Sequence, residues 1–340
     1  MIYPGQAAAR YGDIGVKFTQ ELPIHRTVHT RPEVTGVGEI EEDVLVIQRP
    51  LQRVVAQSIP FWQKKGVPVV VDVDDDFSSL HPSNKAWALY HPKYNPEENW
   101  EWMKKACAAA DLVICSTPAL AERYGPRGNA IVIENCVPEE YLTLPHRGNG
   151  RTVGWSGFVS FHGDDLEVTH GGVARAVETG ECDFLNVGNG IGVAKALDLP
   201  YTDEAGTSAA TGGRQFVDFQ YTLGQLDVGI VPLANTKFNA GKSYLKGLEY
   251  AAAGIPFVAS PVPSYERLYS LGLGWLATDK AKSWKNQILL LIRDDKQREY
   301  EAEAGRDLVK EKFTYEVNWE RWADAWESVL ESRVRSSIGV

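Results

Sequence analysis

The chain is poor in cysteine, has no long apolar run and carries no surplus of positive charge. Its four cysteines, Cys107, Cys115, Cys136 and Cys182, show no metal-type spacing, and three of them lie in apolar or strand-like settings. They read as reduced structural residues, and a cytoplasmic location is expected. No apolar run reaches the roughly 18 residues that span a bilayer, so no stable membrane insertion is expected. The opening Met-Ile-Tyr-Pro-Gly lacks a basic region followed by an apolar one, so no signal peptide is expected either. The net charge is −10: 14 Lys and Arg stand against 19 Asp and Glu up to residue 145, and 21 against 26 beyond it. Neither half is basic, which counts against an extended grip on nucleic acid or an anionic membrane. No Gly-x-Gly-x-x-Gly follows the first strand. In Val187-Gly-Asn-Gly-Ile-Gly192 the glycines alternate too closely for a dinucleotide turn, which speaks against a nicotinamide-dependent epimerase.

What is present is an alternation of strands and helices. With 340 residues, 44% hydrophobic and 24% charged, the chain suits two globular domains. Val44–Gln48 and the wholly apolar Val67–Val71 read as strands, separated by a helix over Leu51–Lys65 that Gly66 closes. Asn95-Pro96-Glu97-Glu98 predicts a helix start, with the helix running to about Ala110. Leu112–Cys115 and Ala130–Glu134 are further strands, with a short helix between them from Ser116-Thr117-Pro118 to Gly125, and Val16–Leu22 suits a short helix. The polar, Gly-rich stretch His146–Arg151 is the candidate linker. A second cycle follows: strands at Thr152–Trp155, Phe184–Val187, Leu226–Pro232 and Pro256–Ser260, a polar loop over Ser156–Asp165, and a helix over Val173–Thr179. The tail over Gln297–Ser332 is strongly helical, broken around Phe313-Thr314-Tyr315. The fold class is α/β: two Rossmann-like domains with parallel sheets facing a cleft, ligands lying beyond the carboxyl ends of strands. The expected domains are 1–148, 149–315 and a C-terminal helical segment over 316–340.

Residues 238–260 carry the most functional information. Ser243 suits a helix cap, Gly254 a left-handed closure, and Pro256 prevents continuation. At about 100° per residue Lys242, Lys246 and Glu249 fall on one stripe, and Leu245, Leu248 and Ala252 on another that can face a sheet. Two cations and a carboxylate thus gather at a helix start whose amides already favour anions. A diphosphate beside a ribose would use such groups. The same spacing also suits an amphipathic surface helix with a solvated Lys–Glu pair at i, i+3.

Four segments in order resemble one known family. They are the Asp run after a buried strand (Val69–Phe77); Ala110–Ser116 followed by Ile133–Pro138; Val153-Gly-Trp-Ser-Gly157 with His162 and Asp165-Leu166; and Asp227–Pro232 leading into Lys242–Ser260. Together, over roughly residues 40–325, they resemble GT-B glycosyltransferases, similar to the large retaining family 4 and its phage and actinobacterial relatives. The resemblance implies transfer of a sugar from a nucleoside-diphosphate donor held mainly by the C-terminal domain. It implies Glu249 on the ribose hydroxyls, Lys246 and Lys242 near the diphosphate with Ser243 beside them, Gly157 in a loop approaching the donor, and His162 near a position where many relatives are basic. It also implies retention of configuration, no protein-held metal, and a terminal helix that crosses back to the N-terminal domain. One departure stands out: many members carry a Glu eight positions before the ribose Glu, and here that position is Gly241. The usual contact to the donor sugar is therefore missing or supplied elsewhere, which keeps a non-catalytic nucleotide-sugar or glycan-binding module open.

The run Asp74-Asp75-Asp76 invites a metal reading, since hard cations gather carboxylates. Successive residues of a strand point to opposite faces, so three adjacent Asp cannot all ligate unless the strand has ended. The expectation is no required cofactor, with Mg2+ compatible but dispensable, and Asp74 and Asp76 on the acceptor side; a turn with a helix cap is the structural alternative. Arg49, at a strand end, either faces the cleft or pairs with an acid. The acceptor classes left open are a glycan, a protein side chain, a lipid-linked intermediate and a modified DNA base.

Overall fold

A computed structural model of the chain describes residues 2–3, 44–159, 164–189, 192–199, 208–210 and 222–338. The helix expected at 16–22 lies outside these residues. Contacts divide the chain into two compact units: one takes the chain up to Asn135, Gly241–Ser243 and the chain from Asn318; the other takes Cys136–Ala240 and Tyr244–Val317.

The first unit is built on a parallel sheet in the order β1 (Ile2–Tyr3), β2 (Leu45–Gln48), β3 (Val69–Val73), β4 (Leu112–Cys115), β5 (Ala130–Val132). Val69, Val70 and Val71 are wholly buried, as an apolar, β-branched run between two parallel neighbours requires. Its helices are α1 (Arg53–Lys64), α2 (Lys85–Tyr90), α3 (Trp100–Ala109) and α4 (Pro118–Tyr124). α1 turns Val55, Ala56 and Ile59 inward. The α3 start differs from expectation. Asn99, not Asn95, is the cap, its side chain accepting from the Glu101 amide at 3.0 Å. The reason is tertiary: the Arg53 amide donates to the Glu97 carbonyl and the Asn99 amide to the Leu51 carbonyl, so residues 97–99 are held extended against the start of α1.

The second unit holds a six-stranded sheet, all of whose pairings are parallel: β6 (Thr152–Phe158), β7 (Asp183–Asn189), β8 (Ser208–Ala210), β9 (Val228–Val231), β10 (Phe257–Ala259) and β11 (Trp275–Leu276). Their spatial order is β11-β10-β9-β6-β7-β8. Its helices are α5 (Gly172–Val177), α6 (Val193–Ala196), α7 (Lys237–Ala240), α8 (Leu245–Ala252), α9 (Pro263–Ser270), α10 (Ala281–Arg293) and α11 (Asp295–Lys312); α12 (Tyr315–Ile338) ends the chain. Strand periodicity sorts the core into two layers. Val228, Ile230 and Val258 join Trp155, Trp284 and Ile288 in one, while Val231, Phe257 and Ala259 join Leu248, Tyr265 and Val309 in the other. The tail breaks at Phe313-Thr314, as expected. There the Val137 amide donates to the Phe313 carbonyl and the Tyr315 amide to the Val137 carbonyl, a strand-like exchange that a continuous helix could not make.

Candidate active site

The strand order of the second unit reverses between β6 and β9. In an open parallel sheet such a reversal leaves a crevice beyond the carboxyl ends of the two strands, because their crossover helices leave to opposite faces. β6 runs further than its apolar pattern suggests: Ser156 and Gly157 pair with Val187 and Gly188 instead of opening a loop. Gly157 is thus a strand residue, and its lack of a side chain has a packing reason, since a Cβ there would stand 2.6 Å from the Trp155 indole.

Ser156, wholly buried at this strand end, is clamped from α8. Lys246 donates to the Ser156 carbonyl and, at 3.2 Å, to its Oγ; the ammonium also lies 5.4 Å from the centre of the Trp155 ring. One turn further along α8, the Tyr250 hydroxyl accepts from the Ser156 amide at 3.0 Å and donates to its Oγ at 3.3 Å. Lys246 and Tyr250 are i, i+4 neighbours on one helix face, so both reach the same strand residue. Gly229 of β9 permits this: a Cβ there would sit 2.6 Å from the Tyr250 ring.

Glu249 lies in the same helix but is only 1% exposed, its Oε1 accepting from the buried Tyr141 hydroxyl at 3.2 Å. Ser243 does not cap α8. The cap position is Tyr244, without a side-chain bond, and the Ser243 Oγ instead accepts from Asn135 at 2.9 Å. Lys242 likewise precedes the helix and, with Gly241 and Ser243, belongs to the first unit, so the predicted Lys242–Lys246–Glu249 stripe is reduced to Lys246 and Glu249. His162 lies outside the described residues. Beside α7, Asp165 accepts from the Ala234 amide at 2.9 Å and from Asn239 at 2.6 Å, which fixes the turn ahead of that helix.

In the first unit a charged cluster occupies the carboxyl edge of the sheet. β3 ends at Val73, so Asp74, Asp75 and Asp76 are free of strand alternation and point to different partners. Arg49 stands in the left-handed region at φ 48° and holds Asp74 with both arms of its fork, reaching Asp75 at 3.2 Å. Lys242 adds a second cation 3.7 Å from Asp75. Burial alone would lower the pKa of the Arg49 guanidinium; Asp74 and Asp75 more than reverse this. Asp72, at the end of β3, is pushed up to about 7 by burial and then by Asp74, with Arg49 opposing. Asp76 is buried, with Tyr124 and Ser78 both donating to Oδ1 at 2.8 Å and Arg123 pairing with Oδ2. That arrangement braces α4 against the turn after β3. Among the described residues no group of three or more His, Cys, Asp or Glu is placed to hold a metal ion.

The sequence singled out Lys246, Lys242, Ser243, Glu249, Gly157, His162, Asp74 and Asp76, and left Arg49 open between the cleft and an acid partner, which here is Asp74. It missed Ser156, Tyr250 and Tyr141. Tyr250 directly follows Glu249 and could have been weighed as its helical neighbour. Ser156 is brought in by strand register and Tyr141 by long-range packing on α8, which leave no local pattern.

Comparison with known proteins adds to this geometry. Residues 216–324, which include β9, α7, α8 and β10, match a protein-family model described as glycosyl transferase-like. Solved structures resemble most of the chain. HepE from Anabaena, solved with UDP and glucose, matches at 15% identity with a TM-score of 0.59, over 83% of this chain and 77% of that one. TarM from S. aureus, solved with fondaparinux, α-GlcNAc-glycerol and UDP, matches at 13% identity and a TM-score of 0.58, over 83% of this chain and 55% of that one. A UDP-forming α,α-trehalose-phosphate synthase from Burkholderia vietnamiensis matches at 13% and 0.51, over 84% of this chain and 71% of that one. The fold is GT-B. Among curated proteins, none matches the chain in sequence. No helix of the described residues is long and apolar enough to cross a membrane.

Proposed function

We propose that this protein is a glycosyltransferase that moves a sugar from a nucleoside-diphosphate donor, held by the second unit at the carboxyl ends of β6 and β9, to an acceptor handled by the first. The observation that carries this reading is the placement of Lys246 in the first turn of α8, at the strand-order reversal and inside the stretch that matches the glycosyl transferase-like model. UDP is the proposed nucleotide, because HepE and TarM were both solved with it.

Glycosyl transfer passes through an oxocarbenium-like state as the diphosphate departs, and the main task is to stabilise charge growing on that leaving group. Lys246 and the amides opening α8 supply positive charge there. Lys246 now bonds a neutral carbonyl, for which a phosphate oxygen is the stronger, charge-assisted replacement. Gly157 leaves room at the strand end, and His162 donates to phosphate or sugar. Glu249 accepts from the ribose hydroxyls, oriented by the Tyr141 hydroxyl. Asp74, held by Arg49, serves the acceptor side. The transfer retains configuration and needs no protein-held metal.

The test is UDP release from UDP-sugars, with and without excess chelator. The reading predicts release that chelator leaves intact. It predicts that Lys246→Ala lowers turnover by about a hundredfold or more, the scale for losing one charge-stabilising donor, while the protein still folds cooperatively. A folded, fully active Lys246→Ala protein would place the site elsewhere. UDP binding without any release of UDP from donor would favour the binding-module reading that Gly241 keeps open.

A further inference from the structure

Residues 74–99 carry the chain from β3 to α3 in two connections, 74–84 and 91–99, on either side of the short helix α2, and both exceed the two to six residues usual between such elements. Long ordered connections of this kind are commonly functional. The segment leaves the carboxyl end of β3, the edge where open α/β sheets bind ligands. It is lined by rings. The Arg49 guanidinium, already paired with Asp74, lies 5.5 Å from the centre of Phe77, and Phe77 packs edge-on against Tyr90 at 5.1 Å. On the same short helix α2 stands Trp87, which forms a triangle with His91 at 4.5 Å and Tyr94 at 5.7 Å, the latter two 5.2 Å apart. Trp100 extends the row at 4.9 Å from His91.

Phe77 is buried, but the rings beyond it do not serve a core. Tyr94 is 58% exposed, and Trp87, Tyr90, His91 and Trp100 are only half-buried. Grouped apolar surface of this kind marks a binding site rather than packing. The surrounding charge decides what binds. Residues 80–100 contain two Lys and two Glu, so the surface offers no net attraction to a polyanion or an anionic lipid. Trp, Tyr and His rings pair a flat apolar face with a polar edge. A neutral pyranose has the matching form, one face of C–H groups and a rim of hydroxyls.

We propose that residues 74–99 form the acceptor platform and that the acceptor is an uncharged glycan, its sugar rings lying on Trp87, His91 and Tyr94 and leading toward Arg49 and Asp74. The acceptor role rests on the glycosyltransferase reading; the glycan contact does not.

The test is electrophoresis of the native protein through gels containing dextran, mannan, soluble starch or hydroxyethyl cellulose, with dextran sulfate as the charged control. The expected result is retardation by at least one neutral polymer, weakened about tenfold or more by Trp87→Ala and by Tyr94→Ala, the scale of losing an aromatic anchor. Tyr300→Ala, which removes an exposed ring from α11, leaves it unchanged. Should Trp87→Ala fail to fold, Tyr94→Ala carries the test, since its side chain is largely in solvent. Retardation by none of the neutral polymers, by dextran sulfate alone, or equally in both variants overturns the proposal. UDP-induced thermal stabilisation is measured on the same samples. UDP binding without glycan binding removes the platform and leaves the donor reading standing; glycan binding without UDP binding does the reverse.

Discussion

Tyr250 reaches Ser156 only because residue 229 has no side chain, so one glycine sets the position of a strand end and a helix together. Gly229→Ala forces the Tyr250 ring off its seat. It is expected to cost about 1–3 kcal/mol, the range for overpacking a close-packed interior, readable in denaturant unfolding. It is also expected to weaken nucleotide binding, because Lys246 shares the Ser156 contact. Glu249→Gln separates fold from function more cleanly. The amide keeps an acceptor for the Tyr141 hydroxyl and nearly the same volume, so the melting temperature changes little while UDP affinity falls about tenfold, the cost of weakening a charge-assisted bond to a hydroxyl. Equal UDP affinity in a folded Glu249→Gln protein would remove the ribose role. At this scale the sequence was legible where chemistry repeats along one helix. Lys246 and Glu249 share a face by spacing alone. Tyr141 and Ser156, wholly buried and distant in sequence, were hidden because only register and chain crossing bring them to α8.

Helix α8 ends as its sequence predicts. Gly254 stands at φ 72°, its amide bonds the Ala251 carbonyl and the Ile255 amide bonds the Tyr250 carbonyl, the double closure of a Schellman ending. Gly254→Ala is therefore expected to destabilise by about 1–2 kcal/mol from the left-handed backbone alone. The new methyl would also fall on the Arg306 guanidinium, adding to that loss in denaturant titration. The start of α8 was less legible than its end. Ser243 has the right chemistry for a cap, yet Asn135 takes its Oγ and the helix begins at Leu245. Asn95 was misleading for the same reason, since long-range backbone bonds to residues 51–53 hold the chain extended until Asn99. Glycine endings depend on backbone sterics that one residue carries with it, whereas caps compete with partners from elsewhere in the fold.

At the scale of the molecule, alternation of apolar strands and capped helices made both α/β units legible, while the reversal of strand order in the second unit was not, because pairing partners leave no trace in local pattern. Stability should also depend on pH through a pair in the linker region. His146 Nε2 lies 3.2 Å from Asp227 Oδ1, and that carboxylate, opposed by burial, raises the imidazole pKa. Burial would raise Asp227, but the neighbouring His146 and bonds from the Thr152 and Gly150 amides outweigh it and hold that carboxyl low. The His146 contribution is complete below the ordinary histidine value of about 6.5 and is lost as pH rises through the raised one. Asp227 contributes above the ordinary carboxylate range and loses its share as pH falls below it. The melting-temperature gap between the native protein and His146→Gln should therefore be wider at about pH 6 than at about pH 9. A gap that does not change between them would mean that the pair is not ionised as described.

The central claim is that α8 and the end of β6 hold a nucleoside diphosphate. Thermal unfolding against UDP, GDP, ADP, CDP and dTDP, run in parallel on Lys246→Ala, tests it most directly. At about a hundred times its dissociation constant a ligand stabilises the native state by about 2.7 kcal/mol, a shift of several degrees. The account predicts such a shift with UDP and its loss in Lys246→Ala. No shift with any nucleotide, or a UDP shift that Lys246→Ala leaves intact, would contradict it.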